Sequence, residues 1–296
     1  MDVIQRSFCD LLLELLSSQS VTSLKKLQLS PVSSWLPAIH DHMRPFTFKL
    51  DVFQEGCLLY IHEESGRHLA AGEIDDQYHR CTQVVITFYK RGALDVMHAL
   101  PTLVPEREAT RALSRAVHCC ENAELQISRS RQPINDNFVP LMLNVLRMGT
   151  YSSVQMPKFD RNGDNFLREA LKNVNLKRLE LSGEWSSNLT EDIDKWIRAA
   201  VKIELISVES CGNLKISLHT FYVIFTKALQ AKKEMTIIMP RGFDLNKLDD
   251  YMDHLRDREG HRYLGFSWKL SDDWGLSLAS LNSNLAITVT RLHYAD

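Results

Sequence analysis

Apolar residues at the start of the chain follow a helical period. Ile4, Phe8, Leu11, Leu12, Leu15 and Leu16 fall at i, i+4, i+7, i+8, i+11 and i+12, which places them on one face of an amphipathic helix. A serine-rich break at Ser17, Ser18 and Ser20 precedes a second short helix around Leu24, Leu27 and Leu29. Pro31 stops that helix, and 35–43 offer a third. The pattern predicts a small helical head over 1–44.

After Pro45 the period shortens to two. Phe46, Phe48, Leu50 and Val52 alternate with polar neighbours, and a second apolar run follows at 58–62 beyond Gly56, so 45–75 is predicted to hold a β-hairpin or meander. Short apolar runs then recur at 84–89, 123–127, 151–156, 176–181, 203–208, 235–239, 263–268 and 285–289, with starts 22–39 residues apart. One-faced helical stripes fill the gaps, for example Ile193, Trp196, Ile197, Ala200 and Val201, or Phe221, Ile224, Phe225, Ala228 and Leu229. Strand and helix alternating at this spacing is the signature of stacked β-α units, which cannot bury their apolar faces singly.

Within that repeat, Ile203-x-x-Ile206-x-Val208-x-x-Cys211-x-x-Leu214 fits the leucine-rich template. Leu176-x-x-Leu179-x-Leu181, Tyr151-x-x-Val154-x-Met156 and Tyr263-x-x-Phe266-x-Trp268 fit its strand portion. The expected fold class is therefore α/β, an irregular leucine-rich-repeat-like β-α solenoid over 76–296 behind the helical head. An ordinary doubly wound sheet would also alternate strands and helices. Its nucleotide-binding forms carry a Gly-rich turn after a strand, and none of the strand ends here reads G-x-G-x-x-G or G-x-x-x-x-G-K.

Charge and chemistry narrow the function classes. Thirty-five basic and 37 acidic side chains give a formal net charge of -2, so no global field attracts nucleic acid or anionic lipid. The basic residues Arg107, Arg111, Arg115, Arg129 and Arg131 are expected to be solvated surface. The charges at Asp2, Arg6, Asp10 and Glu14 interrupt the first apolar stretch, which excludes it as a signal peptide or membrane span. Six scattered cysteines lack the paired spacing of a zinc site and are expected as buried thiols in a reducing, intracellular compartment, cytoplasm or nucleus. Asp160-Arg161-Asn162-Gly163-Asp164 begins like a calcium loop, but Asn165 and Leu171 occupy its sixth and twelfth positions. A turn feeding a helix over 165–174 is expected there instead. His40, His42, His118 and His261 stand without any recognisable nucleophile, metalloprotease or deaminase motif. No catalytic residue, metal site or cofactor is expected. Tyr263, Phe266, Trp268 and Trp274 are expected either to pack the last repeats or to form a recognition surface.

The helix at 8–16, the Leu24-Lys25-Lys26-Leu27 segment and Trp35 together resemble an F-box. With Ser7-Phe8-Cys9-Asp10, irregular repeats and the closing pattern at 263–268, the chain is similar to the F-box-like families expanded in nematodes. An F-box followed by leucine-rich-like repeats is the layout of substrate receptors of cullin ubiquitin ligases. The resemblance implies that Phe8, Leu11, Leu12, Leu15, Leu16, Leu24, Leu27 and Trp35 dock on a Skp-type adaptor while the repeats select a client protein. The alternatives are an interaction scaffold with no ubiquitin role, in which the same leucines cap the end of the repeats, and an enzyme whose site carries no recognisable motif.

Overall fold

A computed structural model describes residues 43–76, 78–89, 103–129, 138–200, 202–209, 213–230, 233–243, 265–269, 271, 273–281 and 284–291. The helical head expected over 1–44 thus lies outside the described residues, apart from its last two positions. The protein is a mixed α/β molecule with a mostly parallel arrangement of strands. Its described residues fall into two compact units, the first reaching Ala123 and including the residues up to Gly149 that follow β4, the second comprising the remainder of β4 and everything from Thr150 onward.

In the first unit, β1 (Arg44–Val52) pairs antiparallel with β2 (Cys57–Glu63) and parallel with β3 (His79–Phe88). The hairpin predicted from the two-residue period is present, and Phe46, Phe48, Leu50 and Val52 are all buried. Helix α1 (Glu106–His118) turns Ala109, Ala112, Leu113, Ala116 and Val117 inward and leads directly into β4 (Cys120–Arg129). Helix α2 (Phe138–Leu146) packs against α1 through an almost wholly apolar sequence.

Two buried polar groups tie this sheet together. His79 at the start of β3 and Glu63 at the end of β2 are each about nine-tenths removed from solvent, with His79 Nε2 3.4 Å from Glu63 Oε1. His79 Nδ1 accepts from the Asp75 N–H at 3.1 Å. The Ser65 hydroxyl donates to Glu63 Oε2 at 2.9 Å, and this bond, the His79 contact and the Arg67 and Arg44 charges hold the Glu63 carboxyl below its ordinary 4.5.

In the second unit, β5 (Tyr151–Pro157), β6 (Arg178–Ser182), β7 (Leu205–Glu209) and β8 (Met235–Pro240) run parallel, in sequence order. Their starts lie 27, 27 and 30 residues apart, and a helix fills each gap: α3 (Arg161–Ala170), α4 (Thr190–Ala199) and α5 (Leu218–Gln230). The sequence triplets match the burial. Tyr151, Val154 and Met156, then Leu176, Leu179 and Leu181, then Ile203, Ile206 and Val208 are all buried, as is Leu214.

Helix α3 begins at Arg161, four residues before the predicted start. Asp160 supplies its N-cap, accepting from the Asn162 N–H at 2.8 Å, so the acidic residue that suggested a calcium loop satisfies a helix end instead. Lys227 of α5 donates to the carbonyls of Arg198 and Ala200 at the C-terminus of α4, at 3.2 and 2.6 Å, and burial lowers the pKa of its ammonium.

Among the described residues beyond β8, the strands no longer run parallel. β9 (Gly265–Lys269), β10 (Trp274–Leu281) and β11 (Asn284–Arg291) form an antiparallel meander, whose last strand pairs antiparallel with β8. Between β9 and β11, where a helix was expected, β10 stands instead. The connection between Leu281 and Asn284 is too short for a helix, and β10 is a strand the sequence pattern did not reveal.

Two outcomes follow for stability. Leu179→Ala empties a site with no solvent exposure and should cost about 2–5 kcal/mol in urea unfolding. Because the folded pKa of Glu63 is depressed, its contribution is present above pH 4.5 and is lost as pH falls through the folded value. The urea midpoint of Glu63→Gln should accordingly fall less than that of the intact protein between pH 5 and 3, titrations in about that range being the check.

Candidate binding surface

A strand alternates its side chains between two faces, so the buried rows of the second unit fix what the other face displays. Val154 pairs with Leu179 and Leu179 with Ile206, and Met156, Leu181 and Val208 form the next buried row. Between these rows Gln155 pairs with Glu180, and Glu180 with Ser207. Gln155 is exposed and Glu180 half-buried, whereas Ser207 lies at the floor, about nine-tenths buried. The neighbouring row sets Ser153 beside Arg178, Arg178 beside Leu205, and Leu205 beside Thr236. One face of this sheet is thus core and the other a partly exposed, largely polar surface. A doubly wound sheet would bury both.

A cleft of about 280 Å³ opens on the polar face, lined in part by Arg129, Gln155, Glu180, Ser182 and Ser207. Its rim is held in place from below. Arg129 donates to the Lys158 carbonyl at 3.3 Å, with its guanidinium 5.8 Å from the Phe159 ring. The Lys158 N–H donates to the Ser182 carbonyl at 2.7 Å, and its ammonium pairs with Asp164 and lies 4.9 Å over the Trp185 ring. Gly183 follows Ser182 with φ +89°, and a Cβ there would come within 3.1 Å of Lys158 Cβ, so both the backbone conformation and the space call for glycine. Arg178, at the start of β6, is paired with Glu204 at 3.3 Å. A hydrogen bond from Lys202, then the Lys202 and Arg178 charges, keep that carboxyl below its ordinary value.

This arrangement offers hydrogen-bond donors and acceptors in a row, on a rigid sheet. The lining contains no imidazole and no thiol, and the volume lies at or below the small end of ordinary small-molecule pockets, about 300–1,000 Å³. Such a surface can form hydrogen bonds along its length but encloses little of a small ligand.

A second cleft, of about 480 Å³ in the first unit, brings Glu73, Asp75, Asp76, Arg115, His118 and Cys119 together. Here His118, one of the histidines singled out in the sequence, reaches a concave site beside Cys119. Arg115 is engaged with the Ala71 carbonyl at 2.8 Å, and His118 Nδ1 lies 2.6 Å from the Ser114 carbonyl of its own helix. Burial pushes the Cys119 thiol up to about 12, the opposite of an activated nucleophile. Contact with the Cys81 thiol, then burial, raise Cys120 as well. Cys57, Cys81, Cys119 and Cys120 are all buried thiols outside any disulfide.

The residues expected to dock on an adaptor, Phe8, Leu11, Leu12, Leu15, Leu16, Leu24, Leu27 and Trp35, lie outside the described residues, as do His40, His42, His261, Arg131 and Tyr263. Phe266 and Trp268 fall on β9, and Trp274 opens β10 half-buried. Gln155, Glu180 and Ser207 were not singled out in the sequence, although their signal was there. Each occupies the position between the last two apolar residues of an L-x-x-L-x-L triplet.

Among the described residues no helix is long and apolar enough to cross a membrane, and no group of three or more His, Cys, Asp or Glu side chains could hold a metal ion. No protein-family model, curated protein or solved structure matches the chain.

The four described thiols should resist alkylation by iodoacetamide at pH 8 in the folded protein and react fully in urea. Rapid labelling of Cys119 in the native state, read by peptide mass spectrometry, would contradict the burial and raised pKa described here.

Proposed function

We propose that this chain is a protein-binding receptor in which irregular leucine-rich-repeat-like units display an open sheet face to a client, and in which the segment 1–44 anchors the receptor to a Skp-type adaptor of a cullin ubiquitin ligase. The observation that carries the first half is the in-register polar row Gln155, Glu180 and Ser207 on the exposed side of a sheet buried on its other side. Strand starts spaced by 27–30 residues and buried triplets at equivalent positions support stacked units of leucine-rich type. The anchoring half rests on the F-box resemblance of the first residues, in which leucines at helical spacing would fill a groove on the adaptor. An intracellular location accords with buried thiols outside any disulfide.

A scaffold with no ubiquitin connection is the competing reading. One sequence feature favours it: Ile4-Gln5-Arg6 stands where an F-box commonly opens with Leu-Pro. A pull-down separates the two. The intact chain should capture a Skp-type adaptor and cullin, and Leu12→Asp combined with Leu15→Asp should lose that capture by at least about tenfold while keeping its circular dichroism spectrum. Failure of the intact chain to bind the adaptor would leave the scaffold. Gln155→Arg with Glu180→Arg should keep the adaptor and lose the co-captured client.

A further inference from the structure

Two histidines of the first unit stand in an arrangement that the binding surface does not use. His62 on β2 and His68 beyond the turn at 64–67 face each other across an antiparallel bridge. Their ring centroids are 4.1 Å apart and the rings are tilted by 58°. The backbone fixes this pairing from both sides. The Leu69 N–H donates to the Ile61 carbonyl and the Glu63 N–H to the Arg67 carbonyl, each at 2.9 Å. Those bonds flank the histidines and make them a non-hydrogen-bonded pair, the position at which facing side chains of an antiparallel ladder come closest. The turn is closed by a 2.9 Å bond from the Gly66 N–H to the Glu63 carbonyl, with Gly66 at φ +87°. On its other side His62 is opposite Thr47 of β1 and lies beside the Tyr60 ring, 6.4 Å away and nearly parallel. His62 is half-buried and His68 is exposed, so the pair is anchored at one ring and open to solvent at the other.

Two imidazoles facing each other across a β-bridge can supply two adjacent positions of one coordination sphere, on backbone that the flanking hydrogen bonds already hold in place. We propose that His62 and His68 form a two-histidine site for a transition-metal ion that prefers imidazole, binding Cu²⁺ more tightly than Zn²⁺ in the order expected for nitrogen donors. With two protein donors, water fills the remaining positions. The site is therefore of the exchangeable kind and distinct from a structural zinc site, which is closed by four protein ligands. A bound ion joins β2 to the segment after its turn and so stiffens the 57–69 hairpin.

The test uses the full chain with Cu²⁺ and Zn²⁺ as probes. The first equivalent of Cu²⁺ should show two imidazole nitrogens by pulsed electron paramagnetic resonance. His62→Gln and His68→Gln should each weaken its affinity at least tenfold in competition calorimetry, and His118→Gln should leave it unchanged. Zn²⁺ should bind more weakly than Cu²⁺ and slow the exchange of the Glu63 and Leu69 amides in the intact chain. His68 is exposed, so its variant retains the fold, which circular dichroism checks. Unchanged copper affinity and nitrogen signature in the folded His68→Gln variant would overturn the proposal, as would unchanged amide exchange at saturating Zn²⁺.

Discussion

The register of the parallel strands in the second unit is the constraint on which the rest depends. Val154, Leu179 and Ile206 form one buried row, continued by Ile237 on β8, and each residue of it is almost wholly removed from solvent. Because side chains alternate with a period of two, a slip of one residue would turn Gln155, Glu180 and Ser207 into the core and bring the apolar row out. Burying an unpaired carboxylate costs far more than any ladder bond returns. The packing that excludes the slipped register is the same packing that presents the polar row, so the core and the candidate binding surface have a single cause.

The connections reinforce that register. Asp160 caps α3, Arg168 of α3 pairs with Asp192 of α4 at 3.2 Å, and Lys227 of α5 satisfies carbonyls at the end of α4. Each helix is thereby tied to a neighbour by a polar contact as well as by its apolar stripe. The first unit relies on a different device. It mixes an antiparallel hairpin with a parallel strand and closes them with the buried Glu63–His79 contact, whose two side chains hydrogen-bond to Ser65 and Asp75. Removing one partner would strand the other, which is why such a pair specifies the arrangement of strands more than it adds to net stability.

Much of this was legible in the chain, because periodicity is a local property. The apolar triplets located the strands of the second unit to within two residues, and the Ile193–Trp196–Ile197 and Phe221–Ile224–Ala228 stripes located α4 and α5 with the buried face correctly assigned. What escaped depended on weak or distant signals. β10 carries Gly275, Ser277 and Ala279 between its apolar residues, small side chains that blur the alternation, and its pairing with β9 and β11 replaces the helical units expected at that end. Helix α3 starts early because Asp160 acts as a cap, and its neighbours Asn162 and Gly163, poor helix formers, lie inside the helix. The Glu63–His79 contact and the His62–His68 pair arise from strand pairing, which spacing along the sequence does not disclose. For the candidate surface, the sequence revealed the buried half of each triplet, and the polar row is its complement.

The most direct test of that complement is site-specific photocrosslinking to the client. A photoreactive residue replaces Glu180 on the polar face in one protein and Glu191, solvent-facing on α4, in another. Crosslinking of the client at 180 and its absence at 191 is the predicted result. Crosslinking at 191 with none at 180 would place the client on the helical side and contradict the account.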